Sequence, residues 1–340
     1  MNSMILRSAV VAGTLTGGWL AAKLLLRQQR CWSFRDRIVL VTGGSRGLGL
    51  LIARELAAEG AQVAICARDG VELAAAAADL RARGGRVMPL VCDLTVADEV
   101  ESMMSAIADA WGPIEVLINN AGIIQVGPYE TMTLDDFREA MALHFWAPLL
   151  TTRLALPAMR ERGEGRIVNI ASIGGRIAVP HLLPYSASKF ALVGLSKGLR
   201  AELAKENILV TTVCPGLMRT GSHLNARFKG RHREEFTWFS IAGSLPLVSM
   251  NADRAARQII SACRFGDAEA NLSPLAKIAV RCDALAPELT AELLSLQATL
   301  LPGGGGVGTR SRRGSESTSR WSPSLLTRLS DNAAVANNEI

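Results

Sequence analysis

The chain has 340 residues, of which 49% are hydrophobic and 20% are charged, so most of it should fold around a globular core. The net charge of +6 accompanies a basic N-terminal flank and a basic C-terminal tail, and this local distribution predicts no nucleic-acid partner. The six cysteines are dispersed without a C-x-x-C pair, which argues against a zinc site or a disulfide framework and favours a reducing compartment.

The N-terminus is apolar. Residues 8–22 carry no charged side chain, and as a helix they would be roughly 22 Å long, short of the ~30 Å hydrocarbon core of a bilayer. Snorkelling of the flanking charges would extend the apolar length from Met4 to Leu26, and the basic residues that follow would keep the next domain in the cytoplasm. We predict a membrane-associated helix within residues 1–34, while a cleaved signal peptide and a helix packed on the domain stay open as alternatives.

A glycine-rich turn joins the first predicted strand of the globular part to its first helix. Residues 38–41 are a short β-branched run, and a helical apolar pattern begins at Leu48. Glycines allow the backbone to approach a pyrophosphate closely, and the helix N-terminus offers unpaired N–H groups, so this context predicts a dinucleotide site. The predicted cofactor contacts in the turn are Gly43, Ser45, Arg46, Gly47, Leu48 and Gly49.

The glycine spacing in this turn is T-G-x-x-x-G-x-G, which resembles the short-chain dehydrogenase/reductase family rather than folds that carry G-x-G-x-x-G. The resemblance covers about residues 35–275. It implies an α/β fold, a doubly wound parallel sheet (Rossmann fold) of about seven strands with helices on both faces. It also implies a nicotinamide cofactor and assembly into a dimer or tetramer.

The end of the second predicted strand, residues 62–66, bears on the choice between NADP and NAD. Enzymes that use NAD place an acidic residue there for the ribose 2′-hydroxyl, whereas this chain has Arg68 nearby and Arg46 in the glycine turn. A guanidinium can bind a phosphate with two hydrogen bonds, and in the family basic residues at these places accompany NADP preference. We therefore predict NADP in preference to NAD, with two solvated surface charges as the alternative.

Two further loops carry predicted cofactor contacts. The resemblance implies that Asp93, followed by Leu94, meets the adenine amino group at the end of the third strand, although Asp93 would serve equally well as the cap of the next helix. After the fourth strand, the family's N-N-A-G loop is matched by residues 119–122, and Asn120 is predicted to lie along the cofactor. Without the resemblance, these four residues predict only a turn.

The chain departs from the family at His144. Many members carry an asparagine here that holds a water of a proton relay, so His144 is a candidate catalytic residue. An imidazole can donate and accept hydrogen bonds and could hold the same water. Two alternatives remain open: the ring fills the space of the water, or it is a histidine packed at a helix interface.

Tyr185 and Lys189 are four residues apart in a helical pattern, so their side chains share one helix face. A nearby ammonium lowers the pKa of a phenol from about 10 toward the working pH of an acid catalyst. Ser172 ends the fifth predicted strand at the spacing the family uses. The resemblance implies that Tyr185 protonates the substrate oxygen, Ser172 holds that oxygen, and Lys189 lowers the pKa of Tyr185 and binds the nicotinamide ribose.

The region after the sixth predicted strand should close over the substrate. Pro215 and Gly216 match the family's P-G, and Thr220 is a predicted cofactor contact. Residues 221–246 form a predicted lid with many aromatic side chains. These suggest a lipophilic substrate, of the steroid, retinoid, fatty or aromatic ketone class, but they would equally serve to close the lid on the core.

The C-terminal part is predicted to be a helical extension over residues 276–301 and a disordered tail over residues 302–340. Taken together, the sequence predicts an NADP(H)-dependent oxidoreductase of a carbonyl or alcohol substrate, with its catalytic domain in the cytoplasm. Two alternatives remain: a reductase of the same fold acting on a sugar or a 3-oxoacyl thioester, and an NADP-binding sensor or scaffold without turnover.

Overall fold

One parallel sheet organises the structure, a computed structural model that describes residue 22, residues 24–246 and residues 248–340. Its strands, numbered in chain order, are β1 (Ile38–Thr42), β2 (Gln62–Ala67), β3 (Arg86–Val91), β4 (Val116–Asn119), β5 (Gly165–Ile170), β6 (Ile208–Cys214) and β7 (Glu269–Asn271). Their order across the sheet is β7-β6-β5-β4-β1-β2-β3, and every pairing is parallel. The predicted doubly wound sheet is therefore confirmed, with its change of direction between β1 and β4.

Helices cover both faces of the sheet because successive strand residues point to opposite sides. The helices are α1 (Gly47–Ala58), α2 (Gly70–Ala82), α3 (Ala97–Trp111), α4 (Leu134–Met141), α5 (Ala147–Arg162), α6 (Leu183–Leu203), α7 (His232–Ser244), α8 (Ala252–Arg264), α9 (Pro274–Leu285), α10 (Pro287–Thr299) and α11 (Arg328–Ala336). Val39 and Val41 of β1 pack into a core with α1, α2 and α8, whereas Leu40 packs into a second core with α3 and α5. Strands buried on both faces explain the continuous apolar runs in the sequence.

A buried polar network ties the middle strands to each other and to α6. The Asn119 side chain donates to Asn169 Oδ1 at 2.9 Å and accepts from the Thr151 hydroxyl at 2.8 Å. Asn169 in turn donates to Ser196 Oγ at 3.1 Å. Each bond contributes about 1 kcal/mol, and losing one partner would cost more because the other would stay buried and unsatisfied. The network fixes the carboxyl ends of β4 and β5, where the predicted site residues lie.

Most of the predicted membrane-associated helix lies outside the described residues, which begin with residue 22 and then residue 24. Within the described ranges, no helix is both long and apolar enough to cross a bilayer. The chain that follows is held on the domain, because Arg27 pairs with Asp267 at 3.1 Å and Trp32 packs against the guanidinium groups of Arg37 and Arg166.

The C-terminal part differs from the expectation of a disordered tail over residues 302–340. Arg312–Arg313 pairs antiparallel with Arg227–Phe228, and α11 packs on α7. Buried hydroxyl groups hold the segment in place: the Ser240 hydroxyl donates to Ser322 Oγ at 2.8 Å, and Ser330 donates to the Gly243 carbonyl at 3.1 Å. Composition predicted disorder because these residues offer little apolar surface, whereas hydrogen bonds to α7 supply the order.

Candidate active site

Ser172, Tyr185 and Lys189 lie together at the carboxyl edge of the sheet. Ser172 follows β5, while Tyr185 and Lys189 are one turn apart near the start of α6. The two side chains are neighbours, since a Cβ on Gly174 would lie 3.2 Å from Tyr185 Cε1 and 3.5 Å from Ser172 Oγ. The Lys189 ammonium is buried, donates to the Ile170 carbonyl at 2.8 Å, and lies 5.7 Å from the centroid of the Tyr185 ring. The structure thus brings the three predicted catalytic side chains into one cluster.

Burial sets the protonation of this cluster. It raises the pKa of Tyr185 above its usual value of 10, although the neighbouring Ser172 hydroxyl acts in the opposite direction. It also lowers the pKa of Lys189 to about 7. The sequence predicted that a charged lysine would lower the tyrosine pKa, but desolvation disfavours both charged forms and is the larger effect here. At neutral pH Tyr185 is therefore a protonated phenol, able to donate.

His144 occupies a π-helical turn, Ala142–Trp146, between α4 and α5, and its side chain is fully buried. Its Nδ1 lies 2.7 Å from Ser188 Oγ, and Ser188 donates its own proton to the Tyr185 carbonyl at 2.8 Å, so Nδ1 must be the donor to Ser188. Its Nε2 accepts the Ile123 N–H at 3.0 Å. Burial lowers the pKa of His144 well below 6.5, which agrees with a neutral ring.

These contacts decide among the interpretations of His144 that the sequence left open. Both ring nitrogens are used by protein groups, so neither is available to hold a relay water. The ring edge also packs on Tyr185, with centroids 5.4 Å apart and planes at 86°. His144 is therefore a packed histidine that positions the start of α6 and the loop at Ile123. Sequence reasoning missed its partner Ser188, which lies 44 residues away.

The glycine turn between β1 and α1 has the shape that a dinucleotide requires. Gly43 and Gly47 have positive φ angles of 64° and 55°, which favour glycine. A Cβ on Gly49 would lie 2.0 Å from the Gly43 carbonyl oxygen, so no side chain fits there. The Asn120 side chain donates to the carbonyl groups of Thr42 and Gly43 at 3.0 and 3.1 Å. The residues present therefore fit a pyrophosphate at the N-terminus of α1.

The loop after β4 joins this turn to the catalytic cluster. A Cβ on Gly43 would lie 2.9 Å from Ala121 Cα, and one on Gly122 would lie 3.8 Å from Lys189 Nζ. Further along the chain, the Ile173 N–H donates to the Pro215 carbonyl at 2.8 Å, and a Cβ on Gly216 would approach Ser273 Oγ to 3.1 Å. The predicted cofactor loops after β1, β4 and β6 thus converge on one cleft.

The two arginines that predicted NADP preference lie near the ends of β1 and β2. Arg46 donates to Glu72 at 2.6 Å, and Arg68 is half exposed, with its guanidinium 3.9 Å from Asp93. Asp93 accepts from the N–H and hydroxyl of Thr95 at 2.9 and 2.7 Å, so it holds the turn before α3, whereas the N-cap of that helix is Val96 and not Asp93. Its neighbour Leu94 is buried in the core with α3 and α5.

Residues 337–339 enter the glycine turn, which nothing in the sequence had suggested. The Gly47 N–H donates to the Asn337 carbonyl at 2.8 Å, and the Asn338 side chain donates to the Ser45 carbonyl at 2.9 Å. The Asn337 side chain donates to the carbonyl of Thr220, another predicted cofactor contact, at 3.2 Å. Groups expected to bind a cofactor are therefore bound by the chain's own C-terminal part.

The predicted lid packs its aromatic residues inward. Phe228 lies 5.4 Å from Phe236 and 5.8 Å from Phe239, centroid to centroid, and all three are buried. Lys229, one of the basic lid residues, is buried against Asp136. The partly buried apolar residues packed against this cluster are Ile124, Val179, Tyr185, Leu224 and Trp238. Most of the apolar content of the lid thus closes it on the core, one of the two roles left open.

Comparisons with known proteins agree with this geometry. The family model described as short chain dehydrogenase matches residues 37–229. The ketoacyl reductase HetN of Nostoc sp. is 38% identical over 192 residues, which are 56% of this chain and 67% of that protein. A solved variant of actinorhodin polyketide ketoreductase with NADPH has a TM-score of 0.63 and 31% identity, over 70% of this chain and 95% of that chain. L-Sorbose reductase from Gluconobacter frateurii, complexed with NADPH and L-sorbose, has a TM-score of 0.64 at 24% identity, over 71% and 96% of the two chains, and shows the fold alone.

Proposed function

We propose that this chain, which belongs to the short-chain dehydrogenase family, is an NADPH-dependent ketoreductase of 3-oxoacyl substrates. As a member of that family it is an NAD(P)-dependent oxidoreductase that acts between a carbonyl and a CH–OH group. The observation that carries the proposal is the cluster of neighbouring Ser172, Tyr185 and buried Lys189, at the edge of the sheet that carries the glycine turn.

Each side chain of the cluster has one task in the proposed reaction. When bound, NADPH supplies the hydride that adds to the carbonyl carbon. Tyr185 gives its phenolic proton to the carbonyl oxygen, so that C=O becomes CH–OH, and Ser172 donates a hydrogen bond to the same oxygen. Because burial raises the pKa of Tyr185, the donor is fully protonated at neutral pH. Lys189 binds the nicotinamide ribose, and His144 positions Tyr185 through Ser188.

Two contacts support NADP over NAD. Asp69 follows β2, where an acidic side chain would bind the ribose 2′-hydroxyl, but its carboxylate instead accepts from the N–H groups of Val71 and Glu72 at 2.9 and 3.1 Å and caps α2. Arg68, the residue before it, is exposed, and Arg46 in the glycine turn is partly exposed, so both guanidinium groups offer donors to a 2′-phosphate. The solved ketoreductase that is 31% identical was determined with NADPH.

The proposed substrate class rests on the similarity to known ketoreductases and on the apolar residues that pack, like Tyr185, against the lid cluster. The named relative is a ketoacyl reductase and the similar solved structure is a polyketide ketoreductase. Ile124, Val179 and Leu224 are only partly buried and pack, like Tyr185, against the aromatic cluster of the lid, and apolar side chains of this kind suit an acyl chain. The steroid or aromatic ketone class has less support, because the large aromatic lid residues pack on one another.

A substrate panel tests the proposal. The full chain with NADPH is offered a 3-oxoacyl thioester, a steroid ketone and a ketose, and NADPH fluorescence is followed. We expect the highest kcat/KM with the 3-oxoacyl thioester. A higher kcat/KM with the ketose or the steroid would contradict the proposed 3-oxoacyl substrate class. NADPH binding without turnover of any ketone would favour a sensor. Light scattering on the same sample checks the homo-oligomer, which stays a prediction.

A further inference from the structure

The C-terminal segment, defined here as residues 328–340, reaches the cofactor cleft by way of α11. Helix α11 packs on α7, and a Cβ on Gly221 would lie 2.4 Å from Ala334 Cα, so the helix rests directly on the backbone that follows β6. The chain leaves α11 at Asn337, which is buried, and its next two residues continue into the glycine turn. The segment is thus seated at two places, the lid and the turn.

One contact in the turn uses an N–H group that a pyrophosphate would need, and two others hold the segment in place. The Gly47 N–H, at the N-terminus of α1, is bonded to the Asn337 carbonyl at 2.8 Å. Asn338 donates to the carbonyl groups of Ser45 at 2.9 Å and Glu72 at 3.1 Å, which ties the segment to both sides of the turn. An N–H group that already donates to a backbone carbonyl cannot also donate to a phosphate oxygen in the same place.

Glu339 places an acidic group in the same spot. Its side chain is only 4% exposed, one of its oxygens lies 3.7 Å from Arg46 Nε, and it accepts from the Asn225 side chain at 2.8 Å. The other oxygen is 2.4 Å from where a Cβ on Gly47 would be, so the carboxyl group fills the space that this glycine leaves open. The carboxyl group, at a helix N-terminus beside an arginine, occupies the place in which such a site binds an anion.

We propose that Asn337, Asn338 and Glu339 are an internal ligand of the cofactor cleft that competes with NADP(H), so that cofactor binding releases the C-terminal segment. The proposal rests on the proposed function, because it requires the dinucleotide to occupy the glycine turn. With the segment seated, only the released fraction of molecules binds the cofactor, and the apparent Kd equals the intrinsic Kd divided by that fraction.

The test measures NADPH binding directly, by fluorescence titration without any ketone. We expect removal of residues 337–340 to tighten the Kd by about tenfold, because a seated segment leaves about one molecule in ten able to bind. Asn338→Ala removes two hydrogen bonds and should tighten it about threefold. The matched control is Glu292→Gln on the exposed face of α10, which should leave the Kd unchanged. Adding a peptide of residues 328–340 to a chain that lacks all of these residues should weaken NADPH binding competitively.

Hydrogen exchange of the full chain gives a second measurement that does not depend on any variant. Saturating NADPH should speed exchange in α11 while it protects the start of α1. Equal Kd values for the full chain, the shortened chain and Asn338→Ala, with no change of exchange in α11, would overturn the competition while leaving the proposed cofactor intact. Absence of NADPH binding by every form, including the shortened chain, would overturn the proposed function and the competition together.

Discussion

The catalytic cluster and the glycine turn lie at the same edge of the sheet, but they are held by different parts of the chain. The catalytic cluster is held by hydrogen bonds within the core. The His144 ring bonds to Ser188 and to the Ile123 N–H, Ser188 donates to the Tyr185 carbonyl, and Lys189 donates to the Ile170 carbonyl. The glycine turn is instead bonded to Asn338, which is 293 residues away from Ser45 along the chain. A change in the catalytic cluster would therefore disturb the core, whereas the C-terminal segment can leave the glycine turn without doing so.

The largest expected effect is on the catalytic cluster and leaves the glycine turn unchanged. Tyr185→Phe removes the proton donor, and we expect kcat to fall by about 10³-fold, since general acid catalysis contributes about 10²–10⁴. The affinity for NADPH should change by less than about twofold, because the substitution does not touch the glycine turn that binds the pyrophosphate. The control is Tyr129→Phe at the chain's other tyrosine, which is exposed. Turnover of the Tyr185 variant at the normal rate would remove Tyr185 from the reaction.

His144→Ala tests whether the cluster is part of the core. It leaves a cavity and two unsatisfied partners, Ser188 and the Ile123 N–H, so we expect the free energy of unfolding to fall by about 3 kcal/mol. Urea unfolding measures this loss. His232→Ala, a half-buried histidine with one bond to Ser317, should cost less than about 1 kcal/mol. Equal stability of both variants would show that the buried contacts of His144 contribute little.

Arg68→Asp tests whether this arginine makes the site prefer NADPH to NADH. An acidic residue would repel the 2′-phosphate, so we expect the ratio of NADPH to NADH affinity to fall by about tenfold, the worth of one charged contact. Parallel titrations with the two cofactors measure this ratio. Arg83→Asp is a matched control, since its side chain is 58% exposed against 57% for Arg68 and it lies just beyond the end of α2. Equal losses for NADPH and NADH would refute the assignment.

The smallest expected effect is a pH dependence at the glycine turn. Burial raises the pKa of Glu339 from 4.5 to about 7, with Glu72 acting in the same direction and Arg46 and Asn225 against it. Because the seated pKa is the higher one, seating is strongest below about pH 4.5 and weakens as pH rises toward 7. NADP⁺ affinity should therefore rise by at least about threefold between about pH 5.5 and 7 in the full chain, relative to the chain without residues 337–340.

That comparison with the shortened chain cancels the titration of the cofactor phosphate itself. A second titratable contact holds the C-terminal segment outside the glycine turn: His223 of the lid pairs with Asp331 of α11. Titration of His223 would also change how tightly the segment is seated. His223→Gln in the full chain separates the two, since it should leave the pH dependence in place. Parallel pH curves for the full and shortened chains would show that Glu339 does not control seating.

The sequence was informative wherever local pattern and chemistry coincide. The apolar runs of β1, β4 and β5 predicted a buried parallel sheet because such strands are covered on both faces. The glycine turn and the spacing of Tyr185 and Lys189 predicted a convergence that the structure displays. These features depend on neighbours within a few residues, so a sequence window contains them.

Distant partners were not predictable in this way. The role of His144 depends on Ser188 and on a backbone N–H at Ile123, and neither contact has a local signature. Composition indicated disorder for residues 302–340 because it measures apolar content, whereas this segment is ordered by hydroxyl groups that bond to α7. Burial likewise reversed the expected effect on the pKa of Tyr185, since depth in the fold cannot be read from spacing.

The most direct test of the central claim follows the transferred hydrogen. The full chain is supplied with a 3-oxoacyl thioester and NADPH that carries deuterium at the reactive carbon of the nicotinamide, and the product is examined by mass spectrometry. The account predicts a 3-hydroxyacyl product with one deuterium on the carbinol carbon, formed in step with loss of NADPH. Loss of NADPH without deuterium in the product, or no hydroxyacyl product, would contradict it.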